Sequence, residues 1–279
     1  EVVLVDFWDY TCVNCLRTLP YLRGWHEKYR DYGLRVLGIH APEFEFSRTL
    51  DHVERAVREF GIEYPVMLDN DYQVWQAFAN KAWPAKYLID KDGYIRYYQL
   101  GEGGYQEFER ALQQLLSDRD PARKLPPLMP LVRELDQPGR LAQCRVPTPE
   151  LYCGTARGRF INEGGLREND LAQYRYRAEP PPPHELELSG WWLATREYVE
   201  AQDSLGAQIR LHFEAAEVNA VLGGPGEVAV SVNGRPERTI QVTTPRMVPL
   251  IAGDEFREGI LVLESATPGL RVYSFTFGT

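Results

Sequence analysis

The chain opens on an apolar run broken by a single carboxylate, Val2-Val3-Leu4-Val5-Asp6-Phe7-Trp8. Its β-branched and aromatic residues predict a buried strand. Leu16, Leu19, Leu22, Trp25 and Tyr29 then recur at helical spacing, and Leu34 to Ile39 reads as a second buried strand. Leu50, Val53, Val57 and Phe60 mark an amphipathic helix, followed by a short strand over 64–68 and a short helix over 71–78. Tyr87 to Asp90 and Tyr94 to Leu100 flank Lys91-Asp92-Gly93, a hairpin signal. Phe108, Ala111, Leu112 and Leu115 close this part as a helix. Strands alternating with helices over 1–117 predict an α/β domain with a partly parallel sheet.

The pattern changes at residue 118. Pro121, Pro126, Pro127, Pro130 and Pro138 punctuate a stretch without periodicity, which predicts a semi-rigid linker over 118–144. From 145 to 279 the period becomes two. Ile209, Leu211 and Phe213 alternate with polar residues. So do Val228, Val230 and Val232, which turn at Asn233-Gly234 and return through Ile240 and Val242. Leu261, Leu263 and Val272 to Phe277 read as late strands, and Pro180 to Pro183 as a rigid loop between strands. Many short strands with Gly, Pro and Asn turns predict an all-β antiparallel sandwich.

A length of 279 residues fits two such domains. The net charge is −9, with 20 acids against 14 bases in 1–120 and 20 against 17 in the rest. Neither part offers the basic surface a phosphate backbone requires, so nucleic acid is not an expected partner. No stretch approaches the roughly 18 consecutive apolar residues of a membrane span. The chain starts at Glu1, inside a strand. It therefore reads as part of a longer protein, with a targeting segment and a membrane anchor expected upstream.

The chemistry sits at Cys12-Val13-Asn14-Cys15, where the first strand turns into the first helix. A cysteine pair at this spacing closes a small disulfide ring, and the first cysteine falls at a helix N-terminus, where free N–H groups and the helix dipole favour a thiolate. Cys12 is the expected nucleophile, exposed and with a lowered pKa, and Cys15 the buried resolving thiol. Asp6 is costly in an apolar strand. It is either at a wet strand end or a buried acid exchanging protons with Cys15. Pro20 should kink the helix. Trp83-Pro84, just before the strand at 85–90, would bring backbone beside the dithiol if its peptide bond is cis. A zinc site is the rival for a CxxC, but no second CxxC or suitable Cys–His pair follows, so no metal is expected. His26, His40, His52, His184 and His212 are scattered and read as surface or packing residues. Cys144 and Cys153 are either reduced bystanders or a structural bridge.

Taken together, Val5-Asp6-Phe7-Trp8, the CxxC, Pro20 and Trp83-Pro84 resemble the thioredoxin superfamily over residues 1 to about 117. The resemblance implies a thiol–disulfide oxidoreductase with no cofactor beyond the redox-active Cys12–Cys15 disulfide. It makes Asp6 the buried acid and Pro84 a cis-proline that, with Trp83 and Trp8, holds an extended disulfide-bearing protein substrate. The insertion between Ile39 and Asp69 is similar to that of the membrane-anchored subgroup serving cytochrome c maturation, in which Glu43 would be an acidic residue near the dithiol. Val13-Asn14 departs from the Gly-Pro of thioredoxin, which leaves the direction of electron flow open. The family's first strand is absent upstream of Glu1. The whole arrangement resembles the extracytoplasmic C-terminal region of DipZ-type proteins, carried by residues 83–90, Gly101-Glu102-Gly103 and residues 272–278. That resemblance implies a CcdA-like membrane electron donor in the same native chain and a periplasmic or other extracytoplasmic location. It also implies a jelly-roll sandwich similar to carbohydrate-binding modules. Trp191 and Trp192, adjacent and so on opposite faces of a strand, are the candidate glycan platform. Both are alternatively packing residues.

Overall fold

The computed structural model describes residues 1–133, 136, 146–203, 206–253 and 255–278. The chain divides into two compact units, Glu1–Ala142 and Gln143–Thr279. The first contains β1 (Val2–Trp8), α1 (Val13–Tyr29), β2 (Leu34–His40), α2 (Leu50–Glu59), β3 (Val66–Leu68), α3 (Gln73–Ala77), β4 (Ala85–Ile89), β5 (Ile95–Leu100) and α4 (Tyr105–Arg119). Its sheet has the order β3-β2-β1-β4-β5. β1 pairs in parallel with β2 and antiparallel with β4, so the sheet is mixed.

β1 is central and covered on both faces, which is why it is apolar at nearly every position. Val2, Leu4 and Trp8 face the core shared with α1 and α4. There Trp25 stacks on Phe108 at 5.2 Å and Tyr21 on Tyr105 at 3.7 Å. Val5 and Phe7 face the other way, and Phe7 meets the rings of Trp75, Phe78 and Tyr87 edge-on at 5.4 to 5.8 Å. By alternation Asp6 points into the α1–α4 side. Pro20 lies inside α1, which continues to Tyr29. The strand expected from residue 64 starts at Val66, after Pro65. The helix expected over 71–78 contracts to α3, whose first amides, on Val74 and Trp75, donate to the Asp69 carboxylate at 3.0 and 2.7 Å.

The segment expected as a linker is, over its described part, a strap on the first unit. Glu109 of α4 is buried and accepts from the Met129 amide, Lys28 and the Tyr29 hydroxyl. Tyr21 accepts from the Val132 amide and donates to Asp136. Leu125, Met129 and Leu131 pack on the core. Met129 can lie on α1 because residue 24 is glycine: a Cβ there would stand 2.2 Å from the Met129 methyl. Proline spacing carries no trace of these partners, because the anchoring groups belong to α1 and α4.

The second unit contains β6 (Leu151–Tyr152), β7 (Asp170–Tyr174), β8 (Leu186–Ala194), β9 (Val199–Ala201), β10 (Ala207–Ala215), β11 (Glu217–Gly223), β12 (Gly226–Val232), β13 (Arg235–Val242), β14 (Arg246–Ile251), β15 (Arg257–Ser265) and β16 (Arg271–Gly278). The order is β13-β12-β15-β10-β8-β9-β16-β11-β14, with β6 on β16 and β7 on β8. The first half of β8 pairs with β10 and the second half with β7 and β9, so β8 carries the chain from one sheet to the other. The two antiparallel sheets enclose one core in a nearly barrel-like sandwich. Ile209, Leu211 and Phe213 are all buried in it. Trp192 is fully buried there too and cannot serve as a stacking platform, whereas its neighbour Trp191 is 41% exposed. Cys153 is buried, and the expected bridge to Cys144 lies outside the described residues.

Candidate active site

The dithiol stands where β1 ends and α1 begins. Cys12 occupies the helix N-cap, its Sγ accepting the Cys15 N–H at 3.2 Å. Sulfur thus fills the place usually taken by a Ser or Asp oxygen, satisfying a donor the helix leaves free. Both cysteines are free thiols, Cys12 half-buried and Cys15 buried.

The expectation that Cys12 has a lowered pKa does not hold in this state. Burial pushes its thiol up, and the Glu43 and Asp9 carboxylates add to the effect, against the hydrogen bond from Cys15. Cys15 is pushed well above the ordinary range, first by burial, then by Cys12, with Asp6 a smaller contributor. The helix terminus helps a thiolate, but two anions and desolvation outweigh it.

Asp6 is buried, not at a wet strand end. Burial raises its carboxyl to about 7, against the opposing pull of Lys86. Neither carboxylate oxygen has a hydrogen-bond partner among the described residues. Lys86 is the register partner of Asp6 across β1 and β4 and is itself fully buried. Its ammonium donates to the Gly101 carbonyl at 3.1 Å and lies 5.7 Å from the centroid of the Tyr105 ring. Burial lowers the Lys86 pKa, against the pull of Asp6. The sequence reading missed Lys86, although the argument that singles out Asp6 applies equally to a lysine in the strand Ala85–Ile89.

Asp9 was also missed, and His40, read as a surface or packing residue, is a packing residue beside it. Asp9 is buried and accepts from the Thr11 amide (2.7 Å), the Thr11 hydroxyl (2.6 Å), the Glu43 amide (2.9 Å) and the Ser47 hydroxyl (2.8 Å). It fastens the loop leading into Cys12 to the loop carrying Glu43. The buried His40 ring sits 3.6 Å from Asp9 and stacks on Tyr10. Burial lowers its pKa against the Asp9 charge. No spacing rule marks Asp9 as a site residue, because the partners that tie it to the Glu43 loop, the Glu43 amide and the Ser47 hydroxyl, are distant in the chain.

Of the remaining sequence candidates, Glu43 is half-buried, and its charge reaches Cys12. The Trp83–Pro84 bond is cis. The half-buried Trp83 donates its indole N–H to the Ala41 carbonyl at 3.0 Å. Trp8 is fully buried, so it is not a substrate contact. As the last residue of a strand covered on both faces, it supports the site from below.

Residues 1–98 match the AhpC/TSA family, and residues 148–278 match the family described as thioredoxin like C-terminal domain. Protein DipZ of Mycobacterium tuberculosis is 35% identical over 281 residues, an alignment covering 100% of this chain and 39% of DipZ. Thiol-disulfide oxidoreductase YkuV of Bacillus subtilis is 29% identical over 117 residues, covering 42% of this chain and 78% of YkuV. Among solved structures, a thiol-disulfide isomerase from Corynebacterium glutamicum aligns at 24% identity over 42% of this chain and 81% of that chain, with a TM-score of 0.39. The chain thus spans about two fifths of the length of its DipZ relative. A CxxC at a helix N-cap, a buried acid in the preceding strand, a cis-proline and 35% identity to DipZ along the whole of this chain mark a DipZ-type thioredoxin-like region.

Proposed function

We infer that this chain is a thiol–disulfide oxidoreductase. The observation that carries the reading is the Cys12 sulfur at the α1 N-cap, with Cys15 one turn behind it and the buried Asp6 carboxylate acting on Cys15. Cys12 as thiolate attacks one sulfur of a protein disulfide, forming a mixed disulfide and releasing the other sulfur as thiolate. Cys15 gives its proton to Asp6 and attacks the Cys12 sulfur. The partner leaves as a second thiolate, and Cys12 and Cys15 are left as a disulfide. Two electrons have passed to the substrate. A donor dithiol restores the pair by the same exchange in reverse.

The direction we propose is reduction of extracytoplasmic protein disulfides. A strong oxidant owes its high potential to a stabilised reduced form. Here Glu43, Asp9 and burial disfavour the Cys12 thiolate, which favours the disulfide and makes the dithiol a better reductant. The match to DipZ along the whole of this chain, 39% of DipZ, supports a membrane electron donor of the CcdA type, and the acidic Glu43 beside the dithiol supports a role in cytochrome c maturation. Trp83 and Pro84 would receive the extended substrate. A second reading concerns the sandwich alone. Trp191, exposed on β8, is a flat aromatic surface suited to stacking on a glycan. Loss of polysaccharide binding in Trp191→Ala would support it.

The first test is the potential of the Cys12–Cys15 couple with Cys144 and Cys153 changed to Ser. A value near the roughly −270 mV of thioredoxin supports the reductant, and one near the about −120 mV of strong oxidants reverses the direction. Disulfide reductase activity retained in Cys12→Ser would remove the assignment altogether.

A further inference from the structure

Asp6 takes a proton in the reading above while a substrate covers Cys12. That proton needs a way out that does not cross the covered face. The backbone places one candidate beside it. Asp6 is the register partner of Gly38 across β1 and β2, so a side chain at 38 would project on the same face as the carboxylate. Residue 38 has none, and its place is taken by others. A Cβ there would lie 3.3 Å from the Tyr64 ring and 3.2 Å from the Trp8 indole nitrogen. The Tyr64 ring therefore lies across the strand from Asp6.

Tyr64 also lines a pocket of about 390 Å3, together with Arg23, His26 and Glu27 of α1, Arg30 just after it, and Glu63. The α1 part of the lining, from Pro20 to Glu27, lies 5 to 12 positions beyond Cys15, roughly 8 to 18 Å along the helix axis, so the pocket opens away from the dithiol. The His26 and Tyr64 rings meet edge-on at 5.7 Å. The Tyr64 hydroxyl, His26 Nδ1, Trp8 Nε1 and both Asp6 oxygens are buried without a hydrogen-bond partner among the described residues. Buried polar atoms without partners, on residues of a polar pocket and of the strand that carries Asp6, are places where water is stabilised.

We propose that the Tyr64 hydroxyl, with the pocket mouth at His26, forms the route by which the proton on Asp6 exchanges with solvent behind the substrate-covered face. The inference rests on Asp6 accepting the Cys15 proton. The Cys15 S–H bond breaks and an Asp6 O–H bond forms. That O–H then breaks, and water in the pocket carries the proton to buffer. Tyr64 acts as a positioning residue: burial and the Asp6 charge push its own ionisation up, so it stays a neutral donor and acceptor. The charged and titratable groups around the route are Lys86 on β4, Cys15, Arg23, His26 and Glu27 on α1, Arg30 just after it, Arg35 on β2, and Glu63 beside Tyr64.

The test uses the full chain in a double-mixing experiment. The reduced protein forms its mixed disulfide with Ellman's reagent at about pH 5, where Asp6 is protonated. A jump to about pH 8 then starts resolution by Cys15, read as release of the second thionitrobenzoate. Tyr64→Phe should slow this phase at least about fivefold, leave the first release unchanged, and lose its effect in an Asp6→Asn background. His26→Leu, which makes the pocket mouth apolar, should slow it in the same direction and carries the test if Tyr64→Phe does not fold. An unchanged jump rate would overturn the route, as would equal slowing with and without Asp6. So would a shift of the pH inflection alone, which would make Tyr64 only a hydrogen-bond donor to Asp6. If Asp6→Asn by itself leaves resolution unaltered, the proton-acceptor reading fails instead.

Discussion

Replacing Asp6 with Asn should flatten the pH dependence of stability between about pH 4 and 8. In the folded protein burial lifts the Asp6 carboxyl from its ordinary value of 3.8 to about 7. An unfolded chain gives it the ordinary value, so over this interval the folded state holds the proton more tightly. The Asp6 contribution to stability is therefore fully present below about pH 4 and is lost as pH rises through about 7. The gap of about three units, at about 1.36 kcal/mol each, amounts to about 4 kcal/mol at pH 8. That is an upper bound, because Lys86 attracts the ionised carboxylate and loses that anion in the variant. Asn keeps the volume, so packing changes little. Urea unfolding of both proteins, reduced, at half-unit pH steps reads the difference. Relative to Asp6→Asn, the parent should lose about 2 to 4 kcal/mol between pH 4 and 8. Parallel curves for the two proteins would refute the claim that Asp6 is held protonated by burial.

Three further outcomes are expected. Asp9→Ala leaves two amides and two hydroxyls without their acceptor, and should cost about 3–5 kcal/mol, read as a lower urea midpoint at unchanged slope. Glu43→Gln removes an anion that raises Cys12, so the pH profile of Cys12 alkylation by iodoacetamide should move to lower pH. Lys86→Met removes the cation that holds Asp6 down, and the Asp6 inflection in the pH dependence of Cys15 resolution should move up by about one unit or more.

The sequence by itself determined the outline of this protein. Its two patterns, strands alternating with helices over the first 117 residues and a period of two after 145, are direct images of which faces become buried, so the α/β domain and the sandwich were legible. The place of Cys12 and Cys15 was legible as well, because a CxxC at a strand–helix junction is a local signal, whereas the apolar strand left Asp6 open between a wet end and a buried acid, which the fold decided. Tertiary structure decided what depends on groups distant in the chain. The segment 126–132 follows α1 and α4 because Gln113 donates to the Pro126 carbonyl, while Glu109 and Tyr21 accept the Met129 and Val132 amides. The register of β1 on β4 sets Lys86 beside Asp6, and the loop carrying Glu43 and Ser47 closes on Asp9. The ionisation of Cys12 followed from those encounters: a helix N-terminus argues for a lowered pKa, and only the folded chain brings in the carboxylates and the burial that raise it. Local pattern reports which face of an element leaves water. It does not report which charge is waiting there, and at this site the charges set the chemistry.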